Sequence, residues 1–457
     1  MSGTLLCILA FLSCLGFSIT NWRYGVCVLM VWGYFFGILK AHYIQSLGHF
    51  IFDAATVGFY AGLIIKLPTR EEQAKWKPVL PWVILLMVWP LFMALIPIQH
   101  YLVQLVGLRG NIFWIPMLLV GAILDRDGRY LLAITFAFLN IIAFGFCLAE
   151  YFLGVEMFVP ENEVTQIVFN SNDIAGGHKR IPSIFVNAHT YAGTMVASIP
   201  WMITGFLEGK KRRLLRSLDN PLLVAGLLCS LLGVFMAGPR SPIVVLGLFA
   251  CLTLLSGRVS FSLLFLFTLV GMIVAYFVSQ NERMQRFTEL QNLDYVSSRI
   301  STSLNMGFVD VLMEYPMGNG MGAGGTSLPF FAQVLLSNQV LMENEYARIV
   351  LEQGLPGLIL FIAFVFWFFT RRISKSDPDS FGKSLFWILS TINFSTAWLG
   401  IGMMSSIPGT AMLMLGIGYC VAPQVLISGK RLFWKTNKLG VVSSGYIPAY
   451  QRGLARV

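Results

Sequence analysis

Residues 130–153 read YLLAITFAFLNIIAFGFCLAEYFL, an apolar run in which Glu150 is the one charged residue. About 20 apolar residues in a helix are enough to cross the hydrocarbon core of a membrane. Similar runs recur, so the sequence predicts an all-α polytopic membrane protein with roughly 13 transmembrane helices. The predicted spans are 3–20, 24–41, 48–66, 79–98, 104–124, 130–153, 188–207, 221–237, 241–257, 261–279, 346–370, 384–402 and 406–428.

The composition favours the same class. Apolar residues make up 56% of the 457 residues and charged residues 12%, whereas a soluble domain carries about 25% charged residues. This excludes an ordinary soluble enzyme and a disordered scaffold. The cysteines lie inside apolar runs, without Cys-x-x-Cys spacing or a cluster of histidines. We therefore expect no zinc site, no disulfide framework and no cofactor.

The charges of the short loops predict the orientation. The net charge is +10, and the basic residues concentrate in loops that fall on one side of the predicted spans. This is the positive-inside pattern, so that side is predicted to be cytoplasmic and no nucleic-acid partner is expected. Long loops escape the rule, and segments 154–187 and 280–345 are predicted to be periplasmic. The chain is divided into a transmembrane domain, 1–429, and a basic cytoplasmic tail, 430–457.

The second long loop contains a predicted amphipathic helix over 301–314. Its apolar side chains share one face, and Asp310 and Glu314 lie on another. The helix would lie in the outer interface of the membrane or cover a cavity. An ordinary packed loop helix is the alternative. The apolar face consists of Leu304, Phe308, Val311 and Leu312.

Three stretches place polar groups on the predicted outer side, where topology does not explain them. The first runs from Arg180 through Asn187 and His189 to the start of a span. Its mixture of guanidinium, amide and imidazole groups suits a phosphate or a sugar. The alternative is that Asn187 and His189 cap the end of a helix.

The second stretch is the tight turn at 237–242, which places Arg240 between two apolar spans. An arginine has a planar, permanently charged fork of donors that matches phosphate oxygens. A turn this short leaves that side chain little freedom at the rim of the membrane. A structural ion pair is the alternative.

The third stretch closes the second long loop. It contains Arg299, then a glycine-rich run at 316–325, then a group of acidic and polar residues where the next span begins. No strand precedes the glycines and no Gly-Lys-Ser/Thr follows them, so a nucleotide-binding P-loop is excluded. A turn whose backbone can approach a ligand is the preferred interpretation. The acidic and polar group consists of Glu343, Asn344, Glu345, Tyr346 and Arg348.

Arginines together with a carboxylate suit one reaction in particular. Fixed cations stabilise the charge that builds on a pyrophosphate leaving group, and a carboxylate can accept the proton of an attacking hydroxyl. Displacement of a lipid pyrophosphate by a sugar hydroxyl needs both the fixed cations and the carboxylate. The predicted outer side offers no Asp-x-Asp pair, so we expect a metal-independent site.

At these residues the chain resembles the O-antigen ligase / Wzy-type polymerase superfamily of bacterial envelope glycosyltransferases, which have a GT-C-like membrane fold. The resemblance covers roughly 180–360, with several spans on both sides. Four motifs carry it in order, within the expected topology. They are RIPSIFVN at 180–187, GPRS at 238–241, Arg299 followed by PMGNGMG at 316–322, and ENEY at 343–346 leading to EQGLPG at 352–357.

The resemblance implies transfer of glycan from an undecaprenyl-pyrophosphate donor at the periplasmic face of the bacterial inner membrane. Arg180 and Arg240 would bind the pyrophosphate, and Glu343 would be the base. Arg299, Asn187, His189, Asn344, Glu345, Tyr346 and Arg348 would bind substrate. Ligases of the family carry His where this chain has Glu343. This difference favours a polymerase of exopolysaccharide, capsule or O-antigen repeat units, and it leaves Glu345 open as the functional acid.

Three other functions compete with the polymerase. A ligase would transfer the finished glycan to lipid A core or to protein, and the sequence does not settle the acceptor. A flippase for the lipid-linked sugar would need polar residues at mid-membrane depth, and the spans are mostly free of them, with Asp53 an exception. A structural subunit of an export complex is a further option. The expected partners are lipid-linked oligosaccharide, membrane lipids, a flippase and a chain-length regulator.

Overall fold

The structure is a computed structural model of the chain. It describes residues 3–43, 47–160, 180–212, 219–256, 308–325, 344–371, 377–398 and 406–423, together with shorter stretches at 271–272, 294, 297–298, 301, 328, 334–337, 340, 373, 400, 435–436 and 442–443. Contacts divide the chain into Met1–Ala422 and Pro423–Val457. The sequence predicted this boundary after residue 429. In the second unit, β1 (Lys435–Thr436) pairs antiparallel with β2 (Val442–Ser443).

In the described residues, the first unit is built from helices. In chain order they are α1 (Gly3–Thr20), α2 (Trp22–His42), a 3₁₀ turn (Leu47–Phe50), α3 (Ile51–Ile65), α4 (Arg70–Ala74), α5 (Leu80–Ala94), α6 (Tyr101–Ile112), α7 (Met117–Ile123), α8 (Arg126–Leu153), a 3₁₀ turn (Val155–Met157), α9 (Ala188–Arg212), α10 (Asp219–Ala237), α11 (Arg240–Leu255), α12 (Asp310–Glu314), α13 (Glu345–Phe369), α14 (Ser380–Thr396) and α15 (Gly409–Val421).

Within the described residues, six helical segments are long and apolar enough to cross a membrane. They identify a membrane-embedded helical protein, as the composition predicted. The six segments are Gly3–Thr20, Trp22–His42, Leu47–Ile65, Tyr101–Ile123, Arg126–Leu153 and Glu345–Phe369. Shorter apolar helices lie at Leu80–Ala94, Pro221–Ala237, Arg240–Leu255 and Gly409–Val421. The predicted total of roughly 13 spans therefore stays a prediction, and most of the predicted span 261–279 lies outside the described residues.

The predicted span 104–124 differs from a single straight helix. It consists of α6 and α7, which are separated by a turn at 113–116. Pro116 precedes α7 as its N-cap residue. A proline has no backbone N–H to donate and its ring crowds the preceding turn, which explains why the helix is interrupted here.

Small residues allow neighbouring helices to approach closely. At Gly418 of α15, an added Cβ would overlap the carbonyl of Leu118, and at Gly121 of α7 it would overlap the carbonyl of Leu415. Because apolar side chains gain little from association within lipid, tight backbone packing is a main source of helix–helix attraction there. These glycines therefore hold α7 and α15 together.

A polar cluster joins four helices in the interior. Asn140 of α8 accepts a hydrogen bond from the Tyr34 hydroxyl at 2.8 Å. Its Nδ2 donates to the hydroxyls of Ser198 at 2.8 Å and Ser230 at 2.7 Å. All four side chains are fully buried. Interhelical hydrogen bonds of this kind fix the register of α2, α8, α9 and α10.

Buried charges join the helix ends on one face of the bundle. Arg129 of α8 donates through Nε to Glu208 of α9 at 2.8 Å and through a terminal nitrogen to Asp379, before α14, at 2.8 Å. Its guanidinium also lies 4.6 Å from the ring centre of Tyr419. Lys383 pairs with Asp377 at 3.0 Å. We call this end of the bundle the basic face, after the short basic loops that the sequence predicts on this side.

The far ends of two helices that start at the basic face, α8 and α14, identify the other end of the bundle. We call this end the opposite face. α8 has 28 residues, or about 42 Å of helix, and its far end carries Glu150. α14 starts at the basic face and runs antiparallel along α9, because Gly382 contacts Thr204 and Phe386 contacts Trp201. The far end of α14, at Ala397, therefore lies on the same face as Glu150.

Replacing Asn140 by Ala is expected to lower the free energy of unfolding by about 1–2 kcal/mol, because three interhelical hydrogen bonds are lost. Unfolding of the detergent-solubilised protein by SDS, followed by tryptophan fluorescence, measures the change. The matched control is Thr396→Ala, whose hydroxyl donates within its own helix to Ile392. Equal stability of the Asn140 and Thr396 variants would contradict the conclusion that the polar cluster holds the four helices together.

Candidate functional site

Segment 180–187, which follows the first long loop, is fixed to α8. The backbone N–H of Ser183 donates to Oε2 of Glu150 at 2.7 Å, and its hydroxyl donates to the carbonyl of Ala143 at 2.7 Å. Ser183 has φ of 52°, a left-handed conformation that is uncommon for a residue other than glycine. The two hydrogen bonds hold it there, and the direction of the chain on both sides is thereby set.

The same segment is also fixed to α2. The N–H of Ile38 donates to the carbonyl of Ile184 at 3.0 Å. At Gly37 an added Cβ would overlap the backbone of Phe185. The ring of Phe185 lies 5.2 Å from that of Tyr34 and stacks on that of Tyr191 at 5.6 Å. A stretch without regular structure is thus held by three helices.

A backbone hydrogen bond joins the two segments that carry Arg180 and Arg240. The N–H of Ile181 donates to the carbonyl of Ala237 at 3.3 Å, which joins segment 180–187 to the turn that leads into α11. Arg180 immediately precedes Ile181, and Arg240 is the first residue of α11. Gly238, inside the turn, has φ of 93° and allows the sharp change of direction. Both arginines are half-buried at the opposite face.

Asn187 occupies the position of a helix cap. Its Oδ1 accepts the N–H of Thr190 at 2.8 Å, and its carbonyl accepts the N–H of Tyr191 at 3.0 Å. This is the structural alternative that the sequence left open for this residue. Asn187 and His189 are both exposed at the first turn of α9, close along the chain to Arg180.

The start of α13 carries a fully buried ion network. Arg348 donates through Nε to Glu345 at 2.9 Å and through a terminal nitrogen to Glu352 at 2.7 Å. Asn111 of α6 donates to Glu352 at 2.7 Å. Glu345 and Arg348 are therefore partners of each other inside the protein. The sequence predicts that both residues bind substrate, whereas the contacts observed here are internal to the protein.

The start of α13 lies on the opposite face, like Arg180. The side chain of Asn344 caps α13 by accepting the N–H of Ala347 at 2.6 Å, and the N–H of Glu345 donates to the carbonyl of Ala397 at 2.9 Å. The Tyr346 hydroxyl donates to the carbonyl of Phe394 at 2.7 Å. These contacts tie the start of α13 to the end of α14, which lies on that face.

The glycine run packs against helix backbone. The N–H of Asn319 donates to the carbonyl of Leu351 at 2.6 Å. Gly322 lies against Gly107 of α6. A Cβ added at Gly107 would overlap the backbone nitrogen of Gly322. Gly354 interrupts α13 with φ of 70° and ψ of −178°, which makes room for the loop. The sequence predicted that this backbone approaches a ligand, and the close approach that the structure shows is to α6 and α13.

The amphipathic helix is described from residue 308 onward, and α12 covers Asp310–Glu314. Phe308 packs edge-on against Trp398 at 4.9 Å and Val311 is buried. Asp310 and Glu314 are exposed, as the periodicity predicted. Of the remaining predicted site residues, Glu343 and Arg299 lie outside the described residues.

A small cavity opens beside the ion network. It has a volume of about 20 Å³, which is room for roughly one water molecule. Its polar lining consists of Asn111, Arg348 and Gln353, and Gln353 donates to Asn111 at 3.0 Å.

Three further charged residues lie on the opposite face and were not assigned to the site from the sequence. Arg109 of α6 donates to Oδ2 of Asp53 at 2.9 Å, and Lys40 of α2 interacts electrostatically with both. Each lies inside an apolar run, which is the signal that could have identified them. Among the described residues, no group of three or more His, Cys, Asp or Glu side chains is arranged to hold a metal ion.

No protein-family model matches the chain, and no curated protein is similar to it at a significant level.

Gly37→Ala is expected to displace segment 180–187, because the added methyl group would overlap the backbone of Phe185. Overpacking of this kind costs about 1–3 kcal/mol. SDS unfolding and the rate of proteolysis within the segment measure the effect. Gly193→Ala in α9 is the control, since a Cβ there meets nothing within 4 Å. A Gly37 variant as stable as this control would contradict the tight contact.

Arg348→Gln is expected to lower the free energy of unfolding by about 3–5 kcal/mol, because it leaves two buried carboxylates without their cation. The control is Arg23→Gln, which removes an ion pair to Asp125 whose arginine is 28% exposed and should cost about 0–1 kcal/mol. Both variants are measured by SDS unfolding. Similar small losses in the two would show that the buried network does not hold α13.

Proposed function

We propose that the chain is a metal-independent glycosyltransferase that polymerises lipid-linked oligosaccharide repeat units. The proposal rests on the resemblance of its motifs to the O-antigen ligase / Wzy-type polymerase superfamily. The observation that carries it is the hydrogen bond from Ile181 to Ala237. It brings segment 180–187 to the turn before α11, so that Arg180 and Arg240 share one edge of the bundle. Two arginines so placed suit the pyrophosphate of a polyprenyl donor.

The proposed reaction is a displacement at the anomeric carbon of the donor. The hydroxyl oxygen of the acceptor sugar forms a bond to this carbon, and the bond from the carbon to the pyrophosphate oxygen breaks. Undecaprenyl pyrophosphate leaves with the bonding electron pair. Arg180 and Arg240 stabilise the negative charge that grows on it, and this lowers the barrier.

We assign to Glu343 the role of the base that accepts the proton of the attacking hydroxyl. Two acids competed for this role, and the structure supplies a reason to prefer one of them. Glu345 is fully buried and accepts hydrogen bonds from Arg348, so its carboxylate is engaged inside the protein. Asn344 and Glu345 instead anchor the chain immediately after Glu343. The anchored start of α13 would hold the base in position.

The substrates also imply where the enzyme works. An undecaprenyl-pyrophosphate glycan is a bacterial envelope intermediate, so we assign the protein to the inner membrane. The basic face would be cytoplasmic, and the face that carries Arg180 and Arg240 would be periplasmic. A flippase for the donor and a chain-length regulator are the partners that such a polymerase requires.

A flippase is disfavoured by the polar cluster in the interior. Asn140, Tyr34, Ser198 and Ser230 do place polar groups deep in the bundle, but they are fully buried and bonded to each other. A transport path needs polar groups that face a cavity. A ligase uses the same pyrophosphate chemistry, and only its acceptor differs.

Purified protein incubated with a lipid-linked repeat unit is expected to give a ladder of increasing polymer length on a gel. Arg240→Ala and Glu343→Gln are expected to abolish the ladder at unchanged protein levels, because they remove leaving-group stabilisation and the base. The control is Arg371→Ala, which removes an exposed guanidinium above Trp367 at the other end of α13. EDTA is expected to leave the ladder unchanged.

A normal ladder from Arg240→Ala or Glu343→Gln would refute the assigned roles. One transferred product without a ladder would indicate a ligase. Loss of the ladder in EDTA, with recovery on addition of a divalent cation, would refute the metal-independent mechanism.

A further inference from the structure

Three buried side chains at the basic face have polar atoms without a hydrogen-bond partner among the described residues. Glu208 of α9 accepts hydrogen bonds from Arg129 through Oε1, and its Oε2 accepts none. The hydroxyls of Thr204, one turn earlier on α9, and of Tyr419 on α15 are in the same condition. The three side chains are only 4%, 4% and 2% exposed. Buried polar groups in proteins are bonded to protein or to ordered water, so the three atoms indicate a bound group.

The three atoms lie around Gly382 of α14. A Cβ added at Gly382 would lie 3.1 Å from the hydroxyl oxygen of Thr204 and 3.3 Å from that of Tyr419. The two hydroxyls are therefore close to one point, although they are not bonded to each other. Glu208 is bonded to the guanidinium of Arg129, whose Cζ lies 4.6 Å from the ring centre of Tyr419. Only glycine leaves room beside both hydroxyls at this position.

The balance of donors and acceptors identifies the group as water. The hydroxyls of Thr204 and Tyr419 can each donate one hydrogen bond, and the carboxylate oxygen of Glu208 can only accept. A water molecule accepts two hydrogen bonds and donates two, so it can use all three atoms at once. Such buried waters typically make about three hydrogen bonds to polar groups that lack other partners.

The charges around the site disfavour an ion. A metal cation would lie close to the guanidinium of Arg129 and to Lys383, whose Nζ lies 5.8 Å from the ring centre of Tyr419. Like charges at such distances repel strongly in a buried site. An anion would meet the carboxylates of Glu208 and Asp379, which share the guanidinium of Arg129. A neutral ligand avoids both penalties.

We propose that one water molecule is bound between α9, α14 and α15 at the basic face. It accepts hydrogen bonds from the hydroxyls of Thr204 and Tyr419 and donates one to Oε2 of Glu208. The ion pairs of Arg129 join α8, α9 and the start of α14. The water adds a hydrogen-bonded link from α9 to α15. This site is independent of the proposed glycosyltransferase activity.

Hydroxyl-radical footprinting of the full-length protein in H₂¹⁸O detects such a water. X-rays convert a bound water into a radical that labels the side chains it touches, and mass spectrometry locates the ¹⁸O. Tyr419 is expected to be labelled several-fold faster than Tyr34, a control tyrosine that is equally buried but bonded directly to Asn140. A scavenger that stays in bulk solvent is expected to leave the label on Tyr419 unchanged.

Thr204→Val keeps the shape of the side chain and removes one donor to the water. It is expected to reduce the labelling of Tyr419 toward that of Tyr34. In SDS unfolding, Thr204→Val and Tyr419→Phe are expected to lower the folding equilibrium constant by less in combination than the product of their separate effects, because both hydroxyls bind the same water. Thr396→Val is the control, since its hydroxyl bonds within its own helix. It should leave the label unchanged.

Equal labelling of Tyr419 and Tyr34 in the wild-type protein would overturn the inference, and this result does not depend on whether any variant folds. Loss of the label in the presence of the scavenger would also overturn it, because the radical would then come from bulk solvent. Effects of Thr204→Val and Tyr419→Phe that multiply in full would show that the hydroxyls share no ligand. An anomalous peak between them in crystals grown with Tl⁺ would assign a monovalent cation in place of water.

Discussion

The carboxylate of Glu150 is the contact on which the proposed site depends. It lies at the far end of α8, is 3% exposed, and accepts the backbone N–H of Ser183 at 2.7 Å. Through this contact a segment without regular structure becomes part of the helical bundle. Ile181 and Ile184, on either side of Ser183, form backbone hydrogen bonds with α10 and α2. The bond of Ile181 brings the chain at Arg180 to the turn that carries Arg240.

Burial distinguishes two groups of charged residues in this bundle. Arg129 and Arg348 are buried, and each is bonded to two carboxylates, because an unpaired buried charge would be prohibitive. They form a frame that fixes helix ends on the two faces. Arg180, Arg240 and Lys40 are half-buried on one of these faces. The frame makes their positions reproducible, and guanidinium and ammonium groups are suited to binding anions.

The helical class and the membrane character were predictable from the sequence. Apolar runs dominate it, and α1, α8 and α13 begin and end within a few residues of the predicted bounds. Interruptions were not foreseen, because Pro116 and Gly354 act through backbone geometry that hydropathy does not register. The cap formed by Asn187 is one of the two alternatives that the sequence offers for this residue, since Asn before a helix is a familiar pattern.

The pairing of charges could not be read from the sequence. The spacing of Glu345, Arg348 and Glu352 places them on one side of a helix, yet their burial and the bond from Asn111 depend on α6, which lies far away along the chain. For the same reason two residues that seemed available to substrate form an internal network. Lys40 and Arg109 went unassigned because their proximity arises only when α2, α3 and α6 pack together.

The most direct test is an experimental structure of the protein in a lipid nanodisc with undecaprenyl pyrophosphate bound. The account predicts that guanidinium nitrogens of Arg180 and Arg240 both lie within about 3 Å of oxygens of one pyrophosphate. The carboxylate of Glu343 would face the glycosyl side of the same lipid. Arginines directed into separate environments, or a pyrophosphate bound at the basic face, would contradict the account.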